Sequence, residues 1–258
     1  MQRRRETVKE DRKPIRWQLD DNGVAKLMMR DSDHNNLFTD SFIDTFLSAL
    51  TEIEEQRPSC LLITGLPDVF SGGADKQTLL DLCDGKIVVK DLEISERLVS
   101  APFPIVSAMQ GHAVGGGLVI GLCSDVMVLA RESRYGAVFM NLGFTPGMGT
   151  TELLPMAFGP YIASEMMLGG RMFRGSELAD RGVPVNAIVS KNDVYRRAQR
   201  IALQIADKPV DSIYLLKYTL SSEKRKRLID ARRNEDLMHR ITFAMPETRR
   251  RISEHYND

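Results

Sequence analysis

No stretch of this sequence stays apolar for the ~18–20 residues that crossing a bilayer requires. Charge of one sign is also missing: Lys plus Arg and Asp plus Glu both total 35. That balance gives no electrostatic reason to expect nucleic acid or an acidic membrane surface as a partner. Cysteine is scarce. Cys60, Cys83 and Cys123 are three in number, far apart and set in apolar sequence. They offer neither a disulfide framework nor a metal-ligand spacing, and read as reduced core residues of a cytosolic protein. The N-terminus "MQRRRETVKEDRKP" has no apolar core, which argues against a secretory signal and leaves residues 1–14 as a disordered leader. No internal repeat occurs, and no G-x-G-x-x-G dinucleotide fingerprint.

What is present is alternation. "IRWQLDDNGVAKLMMRD" reads as a hairpin turning on Asn22-Gly23. Phe42, Phe46, Leu50 and Ile53 then recur at helical spacing after a cap at Thr39 or Asp40. "SCLLITG", "FPIVSAMQG" and "DVMVLA" are short, fully apolar runs, as expected of strands buried on both faces, with helix-like segments between them. This pattern predicts βαβ units around a mostly parallel sheet. From about Asn192 only helices follow, including a long charged one from about Glu223 to Phe243 and a polar tail. The expected division is an α/β core over residues 15–190 and a helical C-terminal region over 191–258.

Two glycine-rich turns stand out. "FSGGAD" (70–75) follows the apolar run 60–65 after a short loop, and "AVGGGLVIGLCSDV" (113–126) follows the run 103–110. Both are expected at the carboxyl ends of strands, where ligands bind in open α/β sheets. Gly115–Gly117 open a helix, whose first N–H groups lack internal partners and carry the positive dipole end. Two such amides facing each other would hold a developing oxyanion, each donor contributing ~2.7–4 kcal/mol. The plainer reading is that these glycines only permit tight strand-to-helix turns.

At these residues the chain resembles the crotonase (enoyl-CoA hydratase/isomerase) superfamily. The resemblance runs in order through "VFSGGAD", "PIVSAMQGHAVGGGLVIGLCSDVMVLA", "GFTPGMGTTELLP" and "MFRGSELADRGVPVNAIV". It implies a ClpP/crotonase-like ββα spiral core with a C-terminal helical trimerisation region. It also implies an oxyanion hole made by the backbone amides of Ala74 and Gly116. Hydratases of the family place catalytic glutamates at two positions that here hold Val119 and Phe139. Adding water to a double bond needs an acid and a base, and neither side chain is one.

The segments "ESRYGAVFMNLGFTPGMGTT" and "RNEDLMHRITF" resemble the decarboxylating branch of the superfamily, which acts on 3-methylglutaconyl carried on an acyl carrier protein in polyketide β-branching. By position that branch's catalytic lysine and histidine map to Lys86 in "LCDGKIVVKD" and His239, with Lys90 as a possible substitute for the lysine. Val119, Phe139 and Tyr135 are expected to line the pocket. His112 is expected to be structural, and His34 and His255 lie in polar segments. No metal and no cofactor are expected beyond the carrier's phosphopantetheine. The implied partners are an acidic carrier protein and copies of the chain itself, as homotrimer or hexamer. Two alternatives stay open: a hydratase or isomerase acting on a coenzyme A thioester, and an inactive acyl-thioester-binding scaffold.

Overall fold

The computed structural model describes residues 13–86 and 92–256. Residues 1–12 of the expected leader, and Lys90, lie outside the described residues.

Strands fall into two sheets. The larger has six: β1 (Ile15–Leu19), β2 (Val24–Met29), β3 (Cys60–Thr64), β5 (Ile105–Met109), β7 (Val126–Ala130) and β10 (Ala187–Val189), side by side in that order. β1 and β2 form the expected antiparallel hairpin, and every later neighbour pairs in parallel. The central strands are apolar throughout because both faces are covered. Leu61, Ile63, Ile105 and Leu129 enter one core with the helix α1 (Asp40–Glu55), whereas Cys60, Leu62, Val106 and Val128 enter a second core. Val194, Ala198 and Ala202 of a later helix, α8 (Val194–Ala206), close that second core. Thr39 is the cap of α1, its hydroxyl accepting from the Phe42 amide at 3.2 Å.

The smaller sheet escapes a sequence reading. It orders β4 (Val69–Ser71), β6 (His112–Val114), β8 (Arg134–Gly136) and β9 (Phe173–Arg174). The glycine turns therefore follow β4 and β6, and not directly the long apolar runs that precede them. Behind β4 comes α2 (Lys76–Cys83), then α3 (Leu92–Ser100); behind β6 comes α4 (Gly116–Cys123). All eight residues of α4 are buried, so it is apolar all round and runs through the interior.

The rest of the chain is mostly helical: α5 (Thr150–Phe158), α6 (Pro160–Gly169), α7 (Gly175–Asp180), then, after β10 and α8, α9 (Val210–Leu220), α10 (Ser222–Thr242) and α11 (Pro246–His255). The polar tail is thus a helix as far as His255, anchored by buried Thr248 and Ile252. Two lysines tie this region to the core. Lys224 donates to the carbonyls of Leu122 and Ser124 at the C-terminus of α4, at 3.1 and 2.7 Å. A cation there complements the helix dipole, although burial lowers the Lys224 pKa. Lys217, 3% exposed, holds both oxygens of Asp125 at 2.7 and 2.8 Å, while Asp125 also accepts the Ile105 amide.

Removing one partner of a fully buried pair costs about 3–5 kcal/mol. The Asp125 side chain keeps 24% of its exposure. Lys217→Met is therefore expected to lower the unfolding free energy by the smaller amount of ~2–3 kcal/mol in urea titration. Adding Asp125→Asn to it is expected to recover part of that loss.

Candidate active site

The loop after β4 is held from one side by the segment before α1. Gly72 donates to Asn35 O at 3.0 Å, Phe38 donates to Gly73 O at 2.7 Å, and the Ser71 hydroxyl donates to Asn36 O at 2.8 Å. Asn36 is itself buried and donates to Met29 O and Phe70 O. In a trans peptide the C=O and N–H point opposite ways. With the Gly73 carbonyl turned to Phe38, the Ala74 N–H points to the other side of the loop. Among the described residues it has no acceptor.

The three consecutive glycines have three separate reasons. Gly115 has φ +52°, in the left-handed half of the map. A Cβ on Gly116 would lie 2.5 Å from the Phe38 ring and 3.0 Å from Met148 Sδ. One on Gly117 would lie 2.2 Å from the Ser71 carbonyl oxygen. Gly73, at φ +81°, closes the arrangement: a Cβ there would sit 2.6 Å from Val114 O and 3.3 Å from Gly116 N. The two glycine loops therefore touch main chain to main chain. The Gly116 amide, in the first turn of α4, has no acceptor among the described residues either.

Around this contact the side chains are apolar or already engaged. Val119 is fully buried in α4. The Phe139 ring comes within 3.5 Å of a Cβ position at Gly115 and meets Phe144 edge-on at 5.8 Å. Asp75, beside Ala74, caps α2 by accepting from the Gln77 and Thr78 amides at 3.0 and 3.1 Å and from the Thr78 hydroxyl. Glu235 is the single carboxylate residue fully buried among the described residues, and it receives the Gly149 and Thr151 amides. Each of these acids accepts three hydrogen bonds and is held in a capping role.

His239, half-buried on α10, lies over the turn before α5. Its Nε2 is 2.9 Å from Thr145 O, and its ring is edge-on to Phe243 at 5.2 Å and to Phe144 at 6.4 Å. Gly147 is required beneath it, since a Cβ there would meet the imidazole Cε1 at 2.5 Å. Phe144 thus links His239 to Phe139, and Phe139 to Gly115. Lys86 is placed differently. It follows α2, 59% exposed, with its ammonium 3.1 Å from Asp81 and 3.0 Å from Asp84. Hydrogen bonds to Asp84 and Asp81 raise its pKa, and Arg249 and Lys86 in turn lower that of Asp84. No contact joins Lys86 to His239 among the described residues.

Tyr135 is fully buried, and its hydroxyl donates to Met109 O at 2.6 Å and accepts the Ala130 amide at 2.7 Å. Burial pushes its pKa up, so it stays a neutral pin between the ends of β5 and β7 rather than a polar group offered to a ligand. His112 is likewise structural, its Nδ1 accepting the Arg134 amide at 2.9 Å.

The tyrosine that sequence reasoning missed is Tyr256. Its hydroxyl donates to Ala74 O at 2.6 Å, and burial, with the nearby Asp75 charge, pushes its pKa up to about 12. Lys76 on Ser253 O and Arg249 on Asp84 add two ties between α11 and the two ends of α2, the helix that follows the Ala74 loop. Met148, at φ +60° under Gly116, is the second omission. Neither had a signal in periodicity or charge.

The chain matches the family of enoyl-CoA hydratases and isomerases over residues 20–256. It is 33% identical, over 92% of its length and 96% of the relative's, to the bacillaene synthase decarboxylase PksI of Bacillus subtilis. A solved structure of a dehydratase/decarboxylase couple involved in polyketide β-branching superposes with a TM-score of 0.92 at 32% identity, covering 95% of this chain and 100% of that one. The ECH2 decarboxylase domain of CurF from Lyngbya majuscula gives 0.89 at 34%, covering 94% and 99%. The paired glycine loops, the buried helix behind them and these matches agree: the chain belongs to the enoyl-CoA hydratase/isomerase family of enzymes.

Proposed function

We propose that the chain is a decarboxylase of polyketide β-branching, acting on a 3-methylglutaconyl thioester borne on the phosphopantetheine arm of an acyl carrier protein, with no other cofactor. The observation that carries this reading is the pairing of two amides, at Ala74 and Gly116, that have no acceptor among the described residues, with the nearby described acids Asp75 and Glu235 both engaged in capping. Loss of CO2 needs no base: the C4–C5 bond breaks, its electron pair moves into the conjugated system, and the thioester oxygen takes the charge. That oxygen lies between the two amides, in a site kept dry by Val119 and Phe139, where each donor is stronger than in water.

Lys86 exchanges Asp81 and Asp84 for the distal carboxylate of the substrate. Trading carboxylate for carboxylate orients the breaking bond without stabilising the ground state too far, which would slow the step. His239 protonates the dienolate; proton transfer of this kind contributes typically 10²–10⁴-fold. The proton adds at C4 to give the 3-methylcrotonyl thioester, or at C2 to give its β,γ-unsaturated isomer.

Exposed apolar side chains on α9 (Leu215, Leu216, Tyr218 and Leu220) and on α6 (Tyr161 and Leu168) support self-association, and a homotrimer or hexamer is the assembly proposed. The arginine-rich runs of α8 and α11 would suit an acidic carrier.

Incubation with 3-methylglutaconyl-carrier protein, followed by mass spectrometry, is expected to show loss of CO2 from the wild type. Lys86→Ala and His239→Ala are each expected to be slower by ~10³-fold, with far-UV circular dichroism unchanged. Wild-type rates in both variants would overturn the roles given to Lys86 and His239, and no CO2 loss from the wild type or either variant would leave the scaffold reading. A crotonyl thioester is expected to remain unhydrated; its steady hydration would restore the hydratase. Tyr256→Phe, which releases the Ala74 carbonyl, is expected to lower kcat by ~5–10-fold, the worth of one net hydrogen bond.

A further inference from the structure

The structure assigns to Glu235 a positioning role in this reaction: through the turn at residues 147–149, it fixes where His239 stands relative to the Gly116 amide. The assignment rests on the decarboxylase reading above.

Glu235 occupies an apolar position. Leu228 and Ala231 form the buried stripe of α10, and the next member of that stripe is Glu235, only 1% exposed. A buried carboxylate is costly unless its oxygens are satisfied. Here they are, by neutral donors alone: Gly149 N–H at 2.7 Å, Thr151 N–H at 2.9 Å and the Thr151 hydroxyl at 2.7 Å. Helix α5 begins at this point without a side-chain cap of its own. Glu235 supplies that cap from another helix, at the positive end of the α5 dipole.

What the carboxylate holds is a turn in an uncommon conformation. Met148 has φ +60° and Gly149 φ +87°. A methionine stays in the left-handed region only where its surroundings hold it there. The turn then touches both reacting parts of the site. Met148 Sδ stands 3.0 Å from a Cβ position at Gly116, and Gly147 underlies the His239 ring. His239 is one helical turn beyond Glu235 on α10, so a single helix face grips the same turn at two points.

The second grip settles which nitrogen of His239 is free. Thr145 O is an acceptor only, so the Nε2 that faces it at 2.9 Å carries a hydrogen. The proton given to the dienolate therefore leaves from Nδ1, which solvent then reloads. With Nε2 tethered, the reach of Nδ1 toward C4 or C2 depends on how α10 is seated. Glu235 sets that seat.

The test compares wild type, Glu235→Gln and Thr151→Val on the 3-methylglutaconyl carrier thioester, reading kcat, KM and the ratio of α,β- to β,γ-unsaturated products. Glutamine keeps the size of the side chain but aims an NH2 group at one of the donors. Its kcat is expected to fall ~10-fold or more, as small misplacements of a catalytic group can produce. KM is expected to stay within about twofold, because the thioester amides are untouched. The product ratio is expected to shift, which simple destabilisation would not cause. Thr151→Val removes one donor of three, is expected to move the ratio the same way by less, and keeps the test open should the glutamine variant be insoluble. Unchanged kcat and product ratio in a folded variant, even one that melts at lower temperature, would overturn the role of Glu235 alone. An inert wild type would overturn the decarboxylase reading itself, and this assignment with it.

Discussion

Everything in the site follows from one close approach of two backbones. A Cβ on Gly73 would meet the main chain of Val114 and Gly116, one on Gly117 would meet the Ser71 carbonyl, and the amides of Ala74 and Gly116 have no acceptor among the described residues. The fold is arranged to force this contact. The segment around Asn36 and Phe38 presses on the first loop, Met148 and Phe38 pack on the second, and Tyr256 reaches over from the last helix to hold the Ala74 carbonyl. The loss of backbone freedom at three successive glycines is the entropic cost of the arrangement.

The same framework can serve water addition or carbon–carbon cleavage, depending on what stands beside the oxyanion. Here Val119 is buried in α4 and Phe139 packs against Gly115, while the described acids nearby, Asp75 and Glu235, cap α2 and α5. On the decarboxylase reading the two amides supply the electrophilic support, and no base is required. Decarboxylation is the reaction that such a site can still drive, because the substrate itself brings the electron pair. In the proposed mechanism Lys86 orients the departing carboxylate and His239 supplies the proton.

Much of this was legible in the sequence where a pattern had room to repeat. The hairpin at Asn22-Gly23, the helix carrying Phe42, Phe46, Leu50 and Ile53, and the apolar central strands all appear where periodicity and turn chemistry put them. The smaller sheet was hidden because its strands are two or three residues long, too short to show a period of two. Helix α11 was hidden because a charged tail with only Thr248 and Ile252 buried looks like solvated chain. Glu235 lies on a helix that is charged along its length, and its place at the end of the Leu228–Ala231 stripe is the available sign of its burial. Tyr256 and the left-handed Met148 depend on contacts between segments far apart in sequence, which no local pattern records.

The central claim is that a thioester carbonyl lies between the Ala74 and Gly116 amides. Isotope-edited infrared spectroscopy of a bound 3-methylcrotonyl carrier thioester, labelled with carbon-13 at the carbonyl, tests it most directly. Two main-chain donors are expected to lower the carbonyl stretching frequency relative to the free thioester. A ligand that is demonstrably bound, yet whose carbonyl band stays at its solution position, would contradict the account.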